Sequence, residues 1–404
     1  MEEKGLDREQ IKIVSLIWFI QTSCAALFFA LPAVLPFIKQ EFILNQRQVG
    51  LLVSALNLGN VLFLMPSGYV IDSLGEKKIL AGGLSAMAVL GLLTFGVHSF
   101  GILLLCFLGI GIAFSTTAPG TNKAVMNWVP VSWRATIMGL KQMGATVGGV
   151  LAAMAVPLIP FWGWRSLYGA IAVWIAISVW LLIKIYYEPD SRDQSGNTIS
   201  GYRKRLGEVF ANRRLILLAV AGFLLGGAQY SILAYTFLYL KEALQVPVVA
   251  AGMAVGWIQF TAAAARLGGG VVSDRFLGHR RKPVLMIFAA VSLISLFAGS
   301  HLEAGMNTWL VFSLFGIIGF FGLGYNGIHL TLAMELSEKR AAGLATSVAV
   351  TALFAGGSAF PPLMGWCIDV TGSYKLAWQM MSMLPALALL LLIPIREKAY
   401  YTGN

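Results

Sequence analysis

Two positively charged side chains lie inside long apolar segments of the sequence. Lys141 belongs to the stretch MGLKQMGATVGG, residues 138–149, and Arg266 lies in the second half of the chain. A cation near the centre of a bilayer costs roughly 2.5–3.5 kcal/mol by insertion scales, so such residues are usually functional. Arginine suits a carboxylate because its planar fork binds two oxygen atoms, and lysine acts as a point charge. The two residues therefore predict a binding site for an anion.

The two cations lie at similar depth in their segments. Lys141 lies about 10 Å beyond Arg134, and Arg266 lies about 12 Å before Asp274, at 1.5 Å of rise per residue. No Asp or Glu falls in the middle of an apolar segment, so neither cation has an evident buried counter-charge. Each cation also has a structural alternative. Lys141 could reach the membrane surface along its aliphatic stem, and Arg266 could bind helix carbonyls or Asp274.

Uncharged polar residues in the same kind of segment are further candidates for the site. They offer directed hydrogen bonds without net charge. Each of them could instead join two helices, and His329 could also carry a proton because histidine titrates near neutral pH. The predicted set is Gln21, Tyr230, Tyr235, Tyr325, Asn326 and His329.

Composition identifies the elements that must position these residues as membrane helices. The chain has 404 residues, of which 58% are hydrophobic and 12% charged, which is too apolar for a soluble protein of this length. Apolar segments of about 20 residues recur, each long enough to cross the bilayer as a helix. We predict an all-α membrane protein with spans 1 to 12 at residues 13–37, 48–71, 79–97, 101–126, 135–159, 166–187, 215–240, 249–272, 283–300, 309–334, 341–365 and 376–395.

The loops between the spans predict the orientation and the domains. Most of the 29 Lys and Arg residues fall on one side, together with both termini, and the positive-inside rule makes that side cytoplasmic. The longest polar stretch, residues 188–214, divides the chain almost in half. We predict an N-terminal six-helix bundle at 1–187, a cytoplasmic central loop at 188–214 and a C-terminal six-helix bundle at 215–404.

The two halves share a loop motif. GYVIDSLGEKK follows span 2 and GVVSDRFLGHRRK follows span 8, half the chain apart and at the same place in each half. A glycine before the aspartate allows close helix approach, and the acid can cap or pair at a helix end. Two copies at matched positions indicate a duplicated six-helix unit. The residues that carry the motif are Gly68, Asp72, Gly270 and Asp274.

Twelve spans, a central loop and these paired motifs closely resemble the major facilitator superfamily of secondary transporters. The loop signature of that family is G-x-x-x-D-x-x-G followed by basic residues, and the second copy matches it better. The first copy departs from it at Ser73 and at Glu76, which stands in the basic run. The resemblance covers the full chain.

The resemblance implies alternating access, in which two bundles rock around a central site. It implies that Asp72 and Asp274 hold a cytoplasmic gate closed, although a simple turn and cap is an alternative for both. In the family, spans 5 and 8 pack together across the bundle interface, so Lys141 and Arg266 are expected to face one cavity. The segment around Lys141 also resembles the cyanate-permease-like group, and the pattern as a whole resembles organic-anion carriers.

We therefore predict a secondary transporter of a small anion, an organic carboxylate. A proton-coupled drug or sugar carrier is the alternative, since GATVGG on span 5 resembles a signature of drug antiporters. A transporter-like sensor is a further alternative. The sequence contains no nucleophile, paired acids or metal cluster of the kind that would indicate an enzyme. It also contains no phosphate-binding loop that would indicate use of ATP.

The remaining expectations concern partners. We expect a monomer in a bacterial inner membrane, surrounded by lipid, with a coupled proton or counter-anion. We expect no cofactor, no metal and no nucleic acid. Lys123 and Lys184 lie near the ends of spans 4 and 6, where they are expected to reach the surface.

Overall fold

A computed structural model describes residues 6–188, 206–277, 280–338 and 342–397. In this part of the chain all regular structure is helical. The helices are Arg8–Phe29, Leu31–Phe42, Gln46–Leu74, Glu76–Leu93, Phe100–Phe114, Thr117–Trp128, Val131–Met154, Ile159–Trp162, Trp164–Ile185, Arg213–Leu238, Val248–Phe276, Arg281–Gly299, Thr308–Leu323, Asn326–Leu336, Ala342–Thr371 and Tyr374–Leu392, with short 3₁₀ turns at Thr94–Gly96 and Val156–Leu158 and a π turn at Tyr239–Ala243.

The prediction of twelve membrane spans is confirmed. Within the described residues, 12 helical segments are long and apolar enough to cross a bilayer. Their ends agree with the predicted ends to within about two helical turns. Spans 1 to 12 are Arg8–Phe42, Gln46–Ser67, Glu76–Gly96, Phe100–Trp128, Ile137–Trp162, Trp164–Ile185, Arg213–Ala243, Val248–Ser273, Arg281–Gly299, Thr308–Leu336, Ala342–Thr371 and Tyr374–Leu392.

The spans form two compact units. The first unit contains Met1–Phe42 and Ala55–Asp193, and the second contains Ile43–Ser54 and Gln194–Asn404. The start of span 2 therefore belongs to the second unit. The predicted division at 188–214 stays a prediction, because residues 189–205 of that loop lie outside the described part of the chain.

Both units have a close helix pair at corresponding positions. In the first unit span 5 packs on span 1, and in the second unit span 11 packs on span 7. A Cβ atom on Gly148 would overlap the backbone of Thr22, and one on Gly356 would overlap the backbone of Phe223. Small residues thus allow backbones to touch at both places, as is typical of helix packing in membranes. This packing fixes Lys141 of span 5 beside span 1.

Spans 4 and 10 are both interrupted near their middle. Span 4 consists of Phe100–Phe114 and Thr117–Trp128, and span 10 consists of Thr308–Leu323 and Asn326–Leu336. Interrupted helices at membrane depth are typical of transporter binding sites, because the break exposes polar groups to a cavity. Three of the predicted site residues, Tyr325, Asn326 and His329, lie at or just after the break in span 10.

Candidate functional site

Lys141 is buried inside the first unit among neutral oxygen atoms. Its side chain is 3% exposed, so it does not extend to the surface as one alternative required. The ammonium nitrogen Nζ donates to the hydroxyl of Thr121 at 3.2 Å and to the amide oxygen of Asn122. In the described part of the chain, these partners are both uncharged and both lie on span 4. The structure thus gives Lys141 a fixed polar setting without a carboxylate.

Gln21 of span 1 belongs to the same group. The hydroxyl of Thr121 lies 3.4 Å from Oε1 of Gln21 and donates to the backbone carbonyl of Thr117 at 2.6 Å. Since the shorter bond uses the single hydroxyl proton, the Thr121 oxygen is left to accept from Lys141. Spans 1, 4 and 5 therefore meet at one polar cluster, which we call the Lys141 cluster: Gln21, Thr121, Asn122 and Lys141.

Sequence reasoning missed two members of this cluster. Thr121 and Asn122 stand in the run TNK of span 4, directly before Lys123. The signal was three consecutive polar residues inside an apolar span. Of these three residues only Lys123 carries a charge, and neutral residues give a weaker signal because they cost less to bury.

Arg266 lies in the second unit beside two predicted site residues. Its guanidinium lies near the phenol groups of Tyr230 and Tyr325. Span 8, which carries Arg266, packs against span 10, which carries Tyr325, and Tyr230 comes from span 7. The side chains of both tyrosines are buried, at 4% and 1% exposed respectively. The structure thus brings together Arg266, Tyr230 and Tyr325, and their role in binding a substrate stays a prediction.

Several buried oxygen atoms of the second unit have no hydrogen-bond partner in the described part of the chain. Leaving such an atom unsatisfied costs about 1–3 kcal/mol, so each calls for an explanation. A polar ligand would satisfy those that face a cavity. The atoms are Oη of Tyr325, Oδ1 of Asn326, Oε1 of Gln229, Oγ of Ser231 and Oγ1 of Thr351.

His329 joins two helices. Its Nε2 lies 3.1 Å from the backbone carbonyl of Leu218 on span 7, and the side chain is fully buried. Because a carbonyl only accepts, Nε2 carries the proton in this contact. The interhelical bond matches the structural alternative given above for His329, and its roles in substrate or proton binding stay predictions.

Tyr235 lies in a different polar cluster of the second unit. Its hydroxyl lies 2.9 Å from the carbonyl of Gln46 and 2.8 Å from the carbonyl of Pro361. Both oxygen atoms of Asp369 accept from backbone amides at the start of span 2, those of Gln46 and Arg47, at 2.8 Å each. The structure does not bring Tyr235 to Arg266, and its bonds are those of a residue that fixes the start of span 2.

The predicted gating residues are described only in part. The surroundings of Gly68 and the side chains of Asp72 and Asp274 lie outside the described part of the chain, so the gating role of these residues stays a prediction. Gly270 is described, and a Cβ atom there would meet no described atom within 4 Å. Close helix packing therefore does not require a glycine at this position, contrary to the reason given for it above.

Glu76 and Lys123 contact each other next to the first motif. Glu76 is 3% exposed and accepts from Asn127 at 2.6 Å and from Tyr186 at 2.8 Å. Nζ of Lys123 lies 4.0 Å from Oε2 of Glu76 and donates to the carbonyl of Ile71 at 3.2 Å. Glu76, which departs from the family signature, is thus a buried acid with specific partners.

Comparison with known proteins agrees with this architecture. The family model of the Major Facilitator Superfamily matches residues 17–361. A probable galactarate/D-glucarate transporter of Bacillus subtilis is 24% identical over 374 residues, which cover 84% of this chain and 81% of that protein. A probable sulfoacetate transporter of Cupriavidus necator is 26% identical, covering 84% of this chain and 83% of the relative. The hexuronate transporter of Bacillus subtilis is 25% identical, covering 86% and 85%.

Solved structures share the fold. A bacterial homologue of the human lysosomal transporter Spinster superposes with a TM-score of 0.80 at 16% identity, covering 96% of this chain and 97% of that one. The nucleoside transporter NupG also gives a TM-score of 0.80, at 15% identity, covering 96% and 100%. The family match confirms the predictions of a transporter rather than an enzyme and of a multi-pass protein. The chain belongs to the Major Facilitator Superfamily of membrane transporters.

Proposed function

We propose that this protein carries a small organic anion, a carboxylate or a sulfonate, across the bacterial inner membrane by alternating access. The observation that carries the proposal is the setting of Lys141, a buried cation whose hydrogen-bond partners in the described part of the chain are neutral. Arg266 of the second unit adds a second cation beside two phenol groups. Each of the two cations is proposed to contact the transported anion.

A buried charge at Lys141 is costly unless it is compensated. An ion removed from water keeps a penalty of several kcal/mol even after the protein relaxes around it. Neutral oxygen atoms offset only part of this penalty, and an anion that enters the site offsets more. The unsatisfied oxygen atoms of Tyr325, Asn326 and Gln229 suit the hydroxyl groups of a hydroxylated acid. Two of the relatives, the probable galactarate/D-glucarate transporter and the hexuronate transporter, are named for hydroxylated acids, and the probable sulfoacetate transporter is named for an acid without hydroxyl groups.

The proposal also covers the orientation of the chain in the membrane, its oligomeric state and the ion that balances the substrate charge. We place both termini in the cytoplasm, from the distribution of basic residues in the loops. The protein acts as a monomer, and a coupled proton or a counter-transported anion balances the substrate charge. Uptake into proteoliposomes with and without a pH gradient separates these two modes, because only proton coupling responds to a protonophore.

The test uses purified protein in detergent and in proteoliposomes, with D-glucarate, D-glucuronate, sulfoacetate and a neutral sugar as probes. A ligand at about 100 times its Kd stabilises the folded protein by roughly 2.7 kcal/mol, so a true substrate raises the Tm. We expect at least one anion to raise the Tm and to be transported, and Arg266→Gln to abolish both effects. Arg275→Gln is the matched control, because Arg275 is exposed near the end of the same helix.

Two results would contradict the proposal. Stabilisation by the neutral sugar alone would move sugar transport ahead of anion transport. Normal anion uptake by Arg266→Gln, at wild-type protein yield, would remove Arg266 from the substrate site.

A further inference from the structure

Asn122 stands where an acidic residue would neutralise Lys141. Its amide oxygen accepts from the Lys141 ammonium, and a carboxylate of nearly the same size would form a stronger, charge-assisted bond there. An amide carries no net charge. The cluster therefore fixes the ammonium without cancelling its charge.

The hydrogen bonds of the cluster leave donors for a ligand. An ammonium group has three N–H bonds, and two of them point to Thr121 and Asn122. The third N–H has no partner within the described residues. The same holds for the NH₂ group of Asn122, whose oxygen faces Lys141. An anion beside Lys141 would thus meet donors from both side chains.

The positions of the two neutral partners are themselves fixed. Thr121 donates its proton to the carbonyl of Thr117, one turn earlier on the same helix, at 2.6 Å. Both partners lie in the second half of span 4, Thr117–Trp128, soon after the break in that span. Lys141 is held from the other side by the close packing of span 5 on span 1.

We propose that Asn122 and Thr121 are positioning residues that hold the Lys141 ammonium through neutral oxygen atoms, so that its charge stays available to the carboxylate or sulfonate of the substrate. The NH₂ group of Asn122 adds a second donor to the same anionic group. This inference rests on the proposed function and assigns a specificity role to two residues of span 4.

The first test is Asn122→Asp, which turns the neutral contact into an ion pair. We expect the Tm without ligand to stay at or above that of the wild type. The KM for the transported anion should rise about tenfold or more, the effect of losing one charge-assisted hydrogen bond, with a smaller change in kcat. Asn122→Ala keeps the charge of Lys141 and should raise KM less. Asn307→Asp is the control, because Asn307 is exposed and its Oδ1 already caps the backbone of Trp309.

A second test moves the cation and does not depend on the folding of Asn122→Asp. The double variant Asn122→Lys with Lys141→Asn places the ammonium on span 4 and the amide on span 5. We expect its KM to be lower than that of Lys141→Asn alone, because one cation is restored to the cluster.

Three results would overturn the inference. One is a KM of Asn122→Asp within about twofold of the wild type, less than the loss of one charge-assisted bond implies. Another is an equal rise in KM in Asn122→Asp and Asn122→Ala. The third is a double variant no better than Lys141→Asn. If the wild-type protein transports none of D-glucarate, D-glucuronate and sulfoacetate, the proposed function fails, and this inference fails with it.

Discussion

The two units join their third and fourth spans with ion pairs of opposite polarity. In the first unit the acid Glu76 begins span 3 and contacts the base Lys123 of span 4, at 4.0 Å. In the second unit the base Arg281 begins span 9 and contacts the acid Glu335 of span 10, at 3.2 Å. The attraction depends only on the product of the two charges, so the duplicated architecture keeps the pair and not its direction.

The N-terminal ends of spans 3 and 9 are each contacted by an acidic side chain, so this second contact has the same charge in both units. Span 3 and span 9 both start without a local side-chain cap. Instead, Glu188 accepts from the backbone amide of Lys77 at 2.7 Å. Glu397 accepts from the amides of Arg281 and Lys282, at 2.7 and 2.5 Å. Helix N-termini attract anions whatever the side chains, so an acid is favourable at this place in both units.

At the C-terminal ends of spans 3 and 9, different side chains donate to the last backbone carbonyls in the two units. In the first unit Arg165 donates to the carbonyls of Thr94 and Val97 at 3.0 and 2.8 Å. In the second unit Tyr239 takes this place, with its hydroxyl 2.8 and 3.3 Å from the carbonyls of Gly299 and Leu302. A guanidinium satisfies both carbonyls at once, whereas a phenol has one proton. Both units thus place a hydrogen-bond donor at this end of the helix, a guanidinium in the first unit and a phenol in the second.

Reversal of the charge at Glu76 should have the largest effect. Glu76→Lys places a buried cation near Lys123 and removes the acceptor of Asn127 and Tyr186. We expect a loss of about 3 kcal/mol in stability, measured as a fall in Tm of the detergent-purified protein. Glu303→Lys is the control, because Glu303 is exposed.

The double variant Glu76→Lys with Lys123→Glu gives the first unit the polarity of the second. We expect it to regain part of the lost Tm. If it regains none, the polarity is set by Asn127 and Tyr186, and the parallel between the two ion pairs fails.

Removal of the guanidinium of Arg165 should rank next. Arg165→Gln loses the ion pair with Glu41, at 2.5 Å, and the bonds to the carbonyls of Thr94 and Val97. We expect a loss of about 2 kcal/mol, since the side chain is partly exposed. The same Tm assay measures it, with Arg47→Gln as a control at an exposed arginine. An effect no larger than that of the control would mean that these contacts do not stabilise the unit.

The two capping glutamates should differ by the number of amides that they serve. Glu397→Ala leaves two amides without a cap and should cost about 1–2 kcal/mol, whereas Glu188→Ala leaves one and should cost about 1 kcal/mol or less. Thermal unfolding of the two variants side by side gives the order. The reverse order would show that the two caps are not equivalent.

Tyr239→Phe should have the smallest effect. It removes one hydroxyl from a buried ring and leaves the packing intact, so we expect a loss of about 1 kcal/mol. A fall in Tm as large as that of Arg165→Gln would contradict the argument from the number of donors.

The fold was predictable because its signals are local. Apolar runs set the twelve spans, and the paired loop motifs showed the duplication. The ion pairs and caps were not predictable, because each joins residues far apart in the sequence. Glu76 looked like a departure from a motif, and its partners Asn127 and Tyr186 appear only when spans 3, 4 and 6 meet.

The candidate site was predictable in its charges and less so in its neutral groups. A cation inside an apolar run is conspicuous, so Lys141 and Arg266 stood out. Neutral residues such as Thr121 and Asn122 cost less to bury and carry a weaker signal. Tyr235 looked like Tyr230 in the sequence, but the two contact different parts of the second unit.

The sequence by itself determined the membrane class, the number of spans and the presence of two cations inside apolar segments, because hydropathy and charge are properties of each residue. Only the tertiary structure decided which oxygen atoms surround Lys141, which phenols lie beside Arg266 and which acids cap spans 3 and 9. Hydrogen bonds act over about 3 Å, so they depend on how the helices pack and not on their order in the chain.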